Sequence, residues 1–128
     1  MRTVYRVEHE EHGHGPYLKP DNEDPGYSSA HWEIDGLHDA HEASKAHPGP
    51  RQDGLGWDII TDSHVHGFDS RELLDKWFSG FKRKLHEAGY VIRVFEAPEQ
   101  STFTSDSGKQ TIFIKHLSRV VDTLPVVR

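Results

Sequence analysis

Histidine is the residue type here with the greatest capacity for chemistry, since eleven of the 128 residues are histidines. Two spacings suit metal ligands: His38 and His41 lie three apart in a segment with a helical pattern, and His64 and His66 share one side of an extended segment. The alternative is a polar loop, because both spacings arise by chance in a histidine-rich chain and no HExxH motif accompanies them. We therefore predict no metal site, with these four histidines as the ligands if one exists.

The familiar motifs for nucleophiles and phosphate loops are missing from the sequence. There is no cysteine, and Ser101 and Thr102 lie in a polar linker without a GxSxG motif. Neither GxxxxGK[ST] nor GxGxxG occurs. Glu96 ends a predicted interior strand, where it either faces a cleft or is a solvated strand end. A hydrolase triad and the common nucleotide loops are therefore not expected.

A helix is predicted to begin at Asp69, because several start signals agree. Asp69 can act as the N-cap, Glu72 follows three residues later, and Phe68 with Leu73 forms a hydrophobic staple. An apolar stripe with the helical period follows, made of Leu73, Trp77, Phe81 and Leu85. This face must be buried, so we expect the helix to pack on a sheet.

The same segment contains its own interruptions. Ser79 and Gly80 break the stripe, and because glycine costs about 1 kcal/mol relative to alanine inside a helix, we expect a kink or two short helices. Gly89 is the expected C′ residue. From Tyr90 to Glu96 both faces are largely apolar, which indicates an interior strand that ends at Pro98.

The remaining pattern predicts one α+β domain over residues 1–128, with a mostly antiparallel sheet and one long or kinked helix packed on it. Strands are expected from Thr3 to Glu8, from Gln110 to Lys115 and, at an edge, from Val120 to Val127. Residues 9–56 form a loop-rich insertion that holds five of the seven prolines and seven each of the eleven glycines and eleven histidines. A short helix is expected there between Asp35 and His47, and a loop region this long suggests a binding function.

Charge is unevenly distributed along the chain. Residues 1–64 carry 5 Lys/Arg and 13 Asp/Glu, for a net charge of −8, whereas residues 65–128 carry 10 and 8, for +2. An acidic chain lacks the basic surface of a duplex nucleic-acid binder, and the basic strip Lys82 to Lys84 is typical of a solvated helix face. With no run of about 20 apolar residues and no signal peptide, we expect a cytoplasmic protein without membrane contact.

Several short motifs together resemble a set of small proteins of actinobacterial phages. They are VYRVE, GPY, HPGP, GFDSRELLDKWF, GYVIRVFE and KQTIF, and they span nearly the whole chain. This resemblance implies a phage-encoded protein that acts in the host cell. It implies no activity.

The element order is also similar to the ADP-ribosyltransferase fold, which implies an NAD-like nucleotide as ligand. The resemblance puts Arg6 at the phosphate or ribose contact, Ser70 at the helix-entry serine and Gln110 where that family has its catalytic glutamate. A neutral amide can bind a hydroxyl but cannot stabilise positive charge on the sugar. The resemblance therefore implies binding rather than turnover, while structural roles for all three residues stay open.

Two functions follow as hypotheses from the sequence. In the first, a phage accessory protein binds a nucleotide-like ligand in a cleft of the sheet. In the second, the acidic, loop-rich N-terminal half, with Tyr17, Tyr27 and Trp32, contacts a host or phage protein, because aromatic residues among polar loops are typical of interfaces.

Overall fold

The computed structural model of the chain describes residues 1–16, 53–56, 61 and 63–127. Over these residues it is an α+β protein, as predicted, with six strands and two α-helices. The strands are β1 (Arg2–His9), β2 (His64–Gly67), β3 (Tyr90–Ala97), β4 (Phe103–Thr104), β5 (Thr111–Ile114) and β6 (Arg119–Pro125). The helices are α1 (Arg71–Trp77) and α2 (Lys82–Glu87), and single 3₁₀ turns cover Glu99–Ser101 and Lys115–Leu117.

The strands form two three-stranded antiparallel sheets instead of the one sheet expected from the sequence. The first sheet has the order β1-β3-β6, and the second has the order β2-β5-β4. Tyr5 and Phe68 join the sheets through two backbone hydrogen bonds, 2.8 Å from Tyr5 N to Phe68 O and 2.7 Å in the reverse direction. β1 therefore contacts both sheets, which brings residues from each of them together along its length.

Three of the predicted strands form the first sheet, namely β1, β3 and β6. β3 is its central strand, which explains why both faces of Tyr90–Ala97 are apolar. β6 lies at the end of the strand order and finishes at Pro125, a residue that sheet edges tolerate. β2 contains the extended segment expected around His64 and His66, whereas the two-residue β4 in the polar linker was not predicted.

The first helix begins one residue later than predicted. Ser70 is the N-cap, with extended backbone angles and an Oγ that accepts the Leu73 N–H at 3.2 Å. Asp69 is instead bound by tertiary partners, since it pairs with Arg2 at 2.6 Å and accepts a hydrogen bond from Thr104 at 2.7 Å. The Asp69 carboxylate, which the local pattern predicted as the helix cap, is therefore bound by the Arg2 guanidinium of β1 instead.

The expected interruption divides the helical segment into α1 and α2. Gly80 lies between them with φ +90°, and Gly89, with φ +91°, directly follows the C-cap Ala88 of α2. Both glycines occupy the left-handed region that favours this residue. Neither helix of the described part of the chain is long and apolar enough to cross a membrane.

Two apolar clusters lie on opposite faces of β1 and β3. The larger one packs the helices on the first sheet and comprises Val7, Phe68, Leu74, Phe78, Leu85, Ala88, Tyr90, Ile92, Val94 and Val126. The smaller one lies between the sheets and comprises Val4, Phe95, Ala97 and Phe113. Val4, Arg6 and Glu8 share one face of β1. The charged residues Arg6 and Glu8 therefore come next to the smaller cluster along that face.

Candidate anion-binding site

Glu8 lies at the centre of a group of charged side chains, which we call the Glu8 cluster: the buried Arg6 and Glu8 and the partly exposed Arg93 and Lys115. Glu8 is 3 % exposed. Its Oε2 lies 3.2 Å from Arg6 Nε and 3.0 Å from Lys115 Nζ, and its Oε1 lies 3.4 Å from Arg93 Nε. One carboxylate thus contacts three cations.

The two sheets supply these cations through strand register. Arg6 stands directly opposite Arg93 in the β1–β3 pair, so both side chains leave the same face of the first sheet. Lys115 comes from the other sheet, at the first residue after β5. The cluster therefore lies where the second sheet closes over β1.

Each cation is also held by an oxygen outside the cluster. Arg6 donates to the His66 carbonyl at 2.8 Å, and Lys115 donates to the Gly13 carbonyl at 3.0 Å. Arg93 donates to the Thr123 hydroxyl at 2.8 Å and to the Glu10 carbonyl at 3.0 Å. These contacts fix the cations in place, and among the described residues they leave some N–H groups of the cations over, because Arg has five and Lys three.

A glycine-rich turn after β1 folds back against the cluster. The turn closes through His9 N to His14 O and Gly13 N to His9 O, both 2.9 Å. Gly13 has φ +74°, and a Cβ on Gly15 would lie 3.0 Å from Arg6 Nη2. A Cβ at either glycine would therefore crowd a cation of the cluster, because one on Gly13 would lie 3.3 Å from Lys115 Nζ.

The cluster carries an excess of positive charge. Three cations and one carboxylate give +2, and the exposed side-chain fraction increases outward from 10 % at Arg6 to 21 % at Arg93 and 36 % at Lys115. Burial lowers the pKa of Arg6 below its usual value, although the charge and hydrogen bond of Glu8 act in the opposite direction. An anion that entered beside Lys115 would relieve this unbalanced charge.

His66, next to the cluster, adds no charge at neutral pH. Its pKa is lowered from 6.5 to about 4, first by burial of the ring among protein atoms and then by the charge of Arg6. With its pKa near 4, the imidazole is uncharged at pH 7.

Four other histidines described by the structure make ring contacts or connect loops. The rings of His9, His12 and His14 lie 4.7 to 6.1 Å apart, and His9 Nδ1 accepts the backbone N–H groups of Glu11 and His12. His64 connects Thr61 to the Ser101 carbonyl. Among residues 1–16, 53–56, 61 and 63–127, no three His, Asp or Glu side chains are arranged to hold a metal ion.

The other two residues suggested by the ADP-ribosyltransferase resemblance have local partners of their own. Ser70 caps α1. Gln110 is 3 % exposed, and its Nε2 donates to Asp53 at 3.2 Å. Asp53 also accepts the Ser107 N–H at 2.9 Å and the Ser107 hydroxyl at 2.6 Å, which fastens residues 53–56 to the turn before β5.

Of the residues singled out by sequence, Arg6 alone belongs to the Glu8 cluster. Glu8, Arg93 and Lys115 were missed, although two signals were present: Glu8 shares a strand face with Arg6, and Arg93 interrupts an apolar run. The candidates outside the described residues are Tyr17, Tyr27, Trp32, His38 and His41, together with the expected helix between Asp35 and His47.

Comparison with known proteins places the chain among phage proteins. A family model described as the bacteriophage T4 Y00F protein matches residues 1–127. The chain matches no curated protein and no solved structure. The match extends over both sheets and therefore includes every member of the Glu8 cluster.

Proposed function

This chain belongs to the bacteriophage T4 Y00F protein family, and we propose that it is an accessory protein that binds a nucleotide-like ligand through its phosphate. The observation that carries the proposal is the excess charge of the Glu8 cluster, in which Arg6, Arg93 and Lys115 share one carboxylate. Guanidinium and ammonium groups are the side chains that proteins use most for phosphate.

The arrangement of the cluster supports entry of a phosphate from the solvent side. Lys115 is its most exposed member, and its Nζ has one N–H beyond those that contact Glu8 and Gly13. Arg93 contacts the other oxygen of Glu8 and is partly exposed, and Arg6 adds charge from the buried side. A phosphate at Lys115 would be attracted by the positive charge of the cluster, which Glu8 neutralises only in part.

An NAD-like nucleotide is the ligand that the element order favours. β1 carries Arg6, Ser70 precedes α1 and Gln110 precedes β5, which is the order that the ADP-ribosyltransferase resemblance requires. Arg6 is the member of this set that lies in the Glu8 cluster, whereas Ser70 caps α1 and Gln110 donates to Asp53. Gln110 supplies no carboxylate, so the proposal is binding without turnover.

Isothermal titration with NAD and ADP-ribose tests the proposal, and Lys115→Gln is the informative variant. We expect binding by the wild type and at least about a tenfold loss in Lys115→Gln, because a charge-assisted contact is removed at a partly exposed position. Lys76→Gln is the matched control, since Lys76 is an exposed lysine of α1. Absence of heat at millimolar ligand, or equal losses in both variants, contradicts the proposal.

The start of edge strand β6 and the turn before it favour a second candidate function, contact with a host or phage protein. Leu117 is 53 % exposed, Val120 is 50 % exposed and Val121 is 45 % exposed, which is unusual for large apolar side chains grouped in one segment. Capture of one specific host or phage protein by tagged wild type, lost in the double variant Val120→Thr/Val121→Thr, would support this function. Unchanged capture by the double variant would contradict it.

A further inference from the structure

We infer that the Glu8 cluster selects a phosphate monoester, which carries close to two negative charges, over a phosphate diester, which carries one. The inference rests on the proposed function and names the class of phosphate that the ligand presents. Its basis is the charge that Glu8 leaves unbalanced. Ligands of this class include adenosine monophosphate and NADP, whose 2′-phosphate is a monoester.

The charge count distinguishes the two classes of phosphate. Glu8 contacts all three cations and reduces their total from +3 to +2. A monoester carries about −1.5 to −2 at neutral pH and brings the cluster close to zero. A diester leaves about one positive charge unbalanced in a place where burial already disfavours the charge of Arg6.

Glu8 is the residue that limits the positive charge of the cluster. Because Glu8 is 3 % exposed and its two carboxylate oxygens contact Arg6, Arg93 and Lys115, it acts as a fixed internal anion. Neutralising it would raise the cluster to +3. Both classes of phosphate would then gain affinity, and the dianion would gain more because it carries the larger charge.

Titration of the wild type with two matched nucleotides tests the inference directly. Adenosine monophosphate and 3′,5′-cyclic adenosine monophosphate have the same base and sugar, and they differ in having a monoester or a diester. We expect the monoester to bind about tenfold more tightly at low salt, because it adds a charge beside Lys115 and Arg93. NADP against NAD is a second matched pair, with the same expected direction.

The outcomes separate the inference from the proposed function. Equal affinities within both pairs overturn the inference and leave phosphate binding intact. Failure of all four nucleotides to bind overturns the proposed function and the inference together. A monoester preference that persists unchanged in Lys115→Gln also overturns the inference, because that preference would then come from another part of the chain.

Two variants test whether the preference for a monoester arises at the Glu8 cluster. Glu8→Gln is expected to raise the affinity for both nucleotides and to increase the affinity ratio between monoester and diester, and the Lys115→Gln variant is expected to reduce that ratio towards one. If Glu8→Gln folds poorly, the ratio of monoester to diester affinity in Lys115→Gln still tests the inference. This variant should fold, because Lys115 is the most exposed member of the cluster. Lys76→Gln should keep the wild-type ratio.

Discussion

Arg6 and Arg93 stand directly opposite each other in the β1–β3 pair, with both side chains on one face of the sheet. Opposed like charges destabilise an antiparallel pair. Glu8 compensates, because it lies two residues from Arg6 on the same strand and contacts both guanidinium groups. The stability of this part of the sheet therefore depends on a single carboxylate.

Removal of that carboxylate should destabilise the protein more than removal of a surface ion pair. We expect Glu8→Gln to lower the free energy of unfolding by about 3 kcal/mol, because buried cations are left without their counter-charge. Adding Arg6→Met to this variant should restore part of the loss, since Arg93 no longer faces a like charge. Urea unfolding of the wild type, both single variants and the double variant measures the coupling.

An additive result would contradict this account of the cluster. If the effects of Glu8→Gln and Arg6→Met simply sum, Glu8 does not act by separating Arg6 from Arg93. The pair Glu96→Gln and Arg119→Met is a suitable control, because its ion pair is exposed and contributes less than about 1 kcal/mol.

Gly67 is required where the two sheets meet. A Cβ at this position would lie 2.5 Å from Val4 Cγ1, 3.0 Å from the Tyr5 carbonyl oxygen and 3.1 Å from Phe113 Cε1. We expect Gly67→Ala to destabilise the protein by about 2 to 3 kcal/mol through overpacking, measured by urea unfolding.

Gly80 provides the comparison for that effect. A Cβ on Gly80 would meet no atom within 4 Å, although its φ of +90° still disfavours a side chain. Gly80→Ala should therefore cost only about 1 to 2 kcal/mol, from backbone strain alone. Val4→Ala added to Gly67→Ala should cost less than the sum of the two single effects, and strict additivity would show that the Val4 contact is not the cause.

Ser70, and not Asp69, should determine the stability of the start of α1. We expect Ser70→Ala to cost about 1 kcal/mol, while Ser70→Asp keeps most of the stability because aspartate also caps helices. Asp69→Asn should instead be coupled to Arg2→Met by up to about 1 kcal/mol, since those side chains form a partly exposed pair. A Ser70→Ala variant with unchanged unfolding free energy would contradict this assignment of the cap.

Local signals in the sequence predicted the elements that depend on neighbouring residues. Gly80 and Gly89 marked the break and the end of the helical segment because backbone conformation at a glycine is a local property. β3, predicted from Tyr90 to Glu96 and observed as Tyr90–Ala97, follows from its continuous apolar pattern. Asp69 and Ser70 are both good capping residues, and the choice between them depends on Arg2, which is distant in sequence.

The candidate site depends on contacts that a one-dimensional pattern does not contain. Glu8, Arg93 and Lys115 meet because β1 pairs with β3 and because the second sheet places the residue after β5 above β1. Each of these residues, taken alone, is typical of a strand surface or a loop. Arg6 was suggested by a family resemblance, and its partners became evident only from the register.

Asp53 should make the protein sensitive to strong acid. Burial by itself would raise the pKa of Asp53, but hydrogen bonds from Ser107, Ser105 and Gln110 lower it from 3.8 to about 2. Because the folded-state pKa is below the ordinary value, the stabilisation is fully present above pH 4 and is lost as the pH falls through 2. The size of this contribution is about 2 kcal/mol.

Urea unfolding of the wild type and Asp53→Asn between pH 5 and pH 2 measures this contribution. We expect the variant to be less stable at pH 5, with a difference that closes towards pH 2, because protonation removes the charge that the hydrogen bonds favour. Asp106→Asn is the matched control, since Asp106 is an exposed carboxylate in the turn that Asp53 binds. A difference between wild type and Asp53→Asn that does not change with pH would show that Asp53 stabilises the turn by shape rather than by charge.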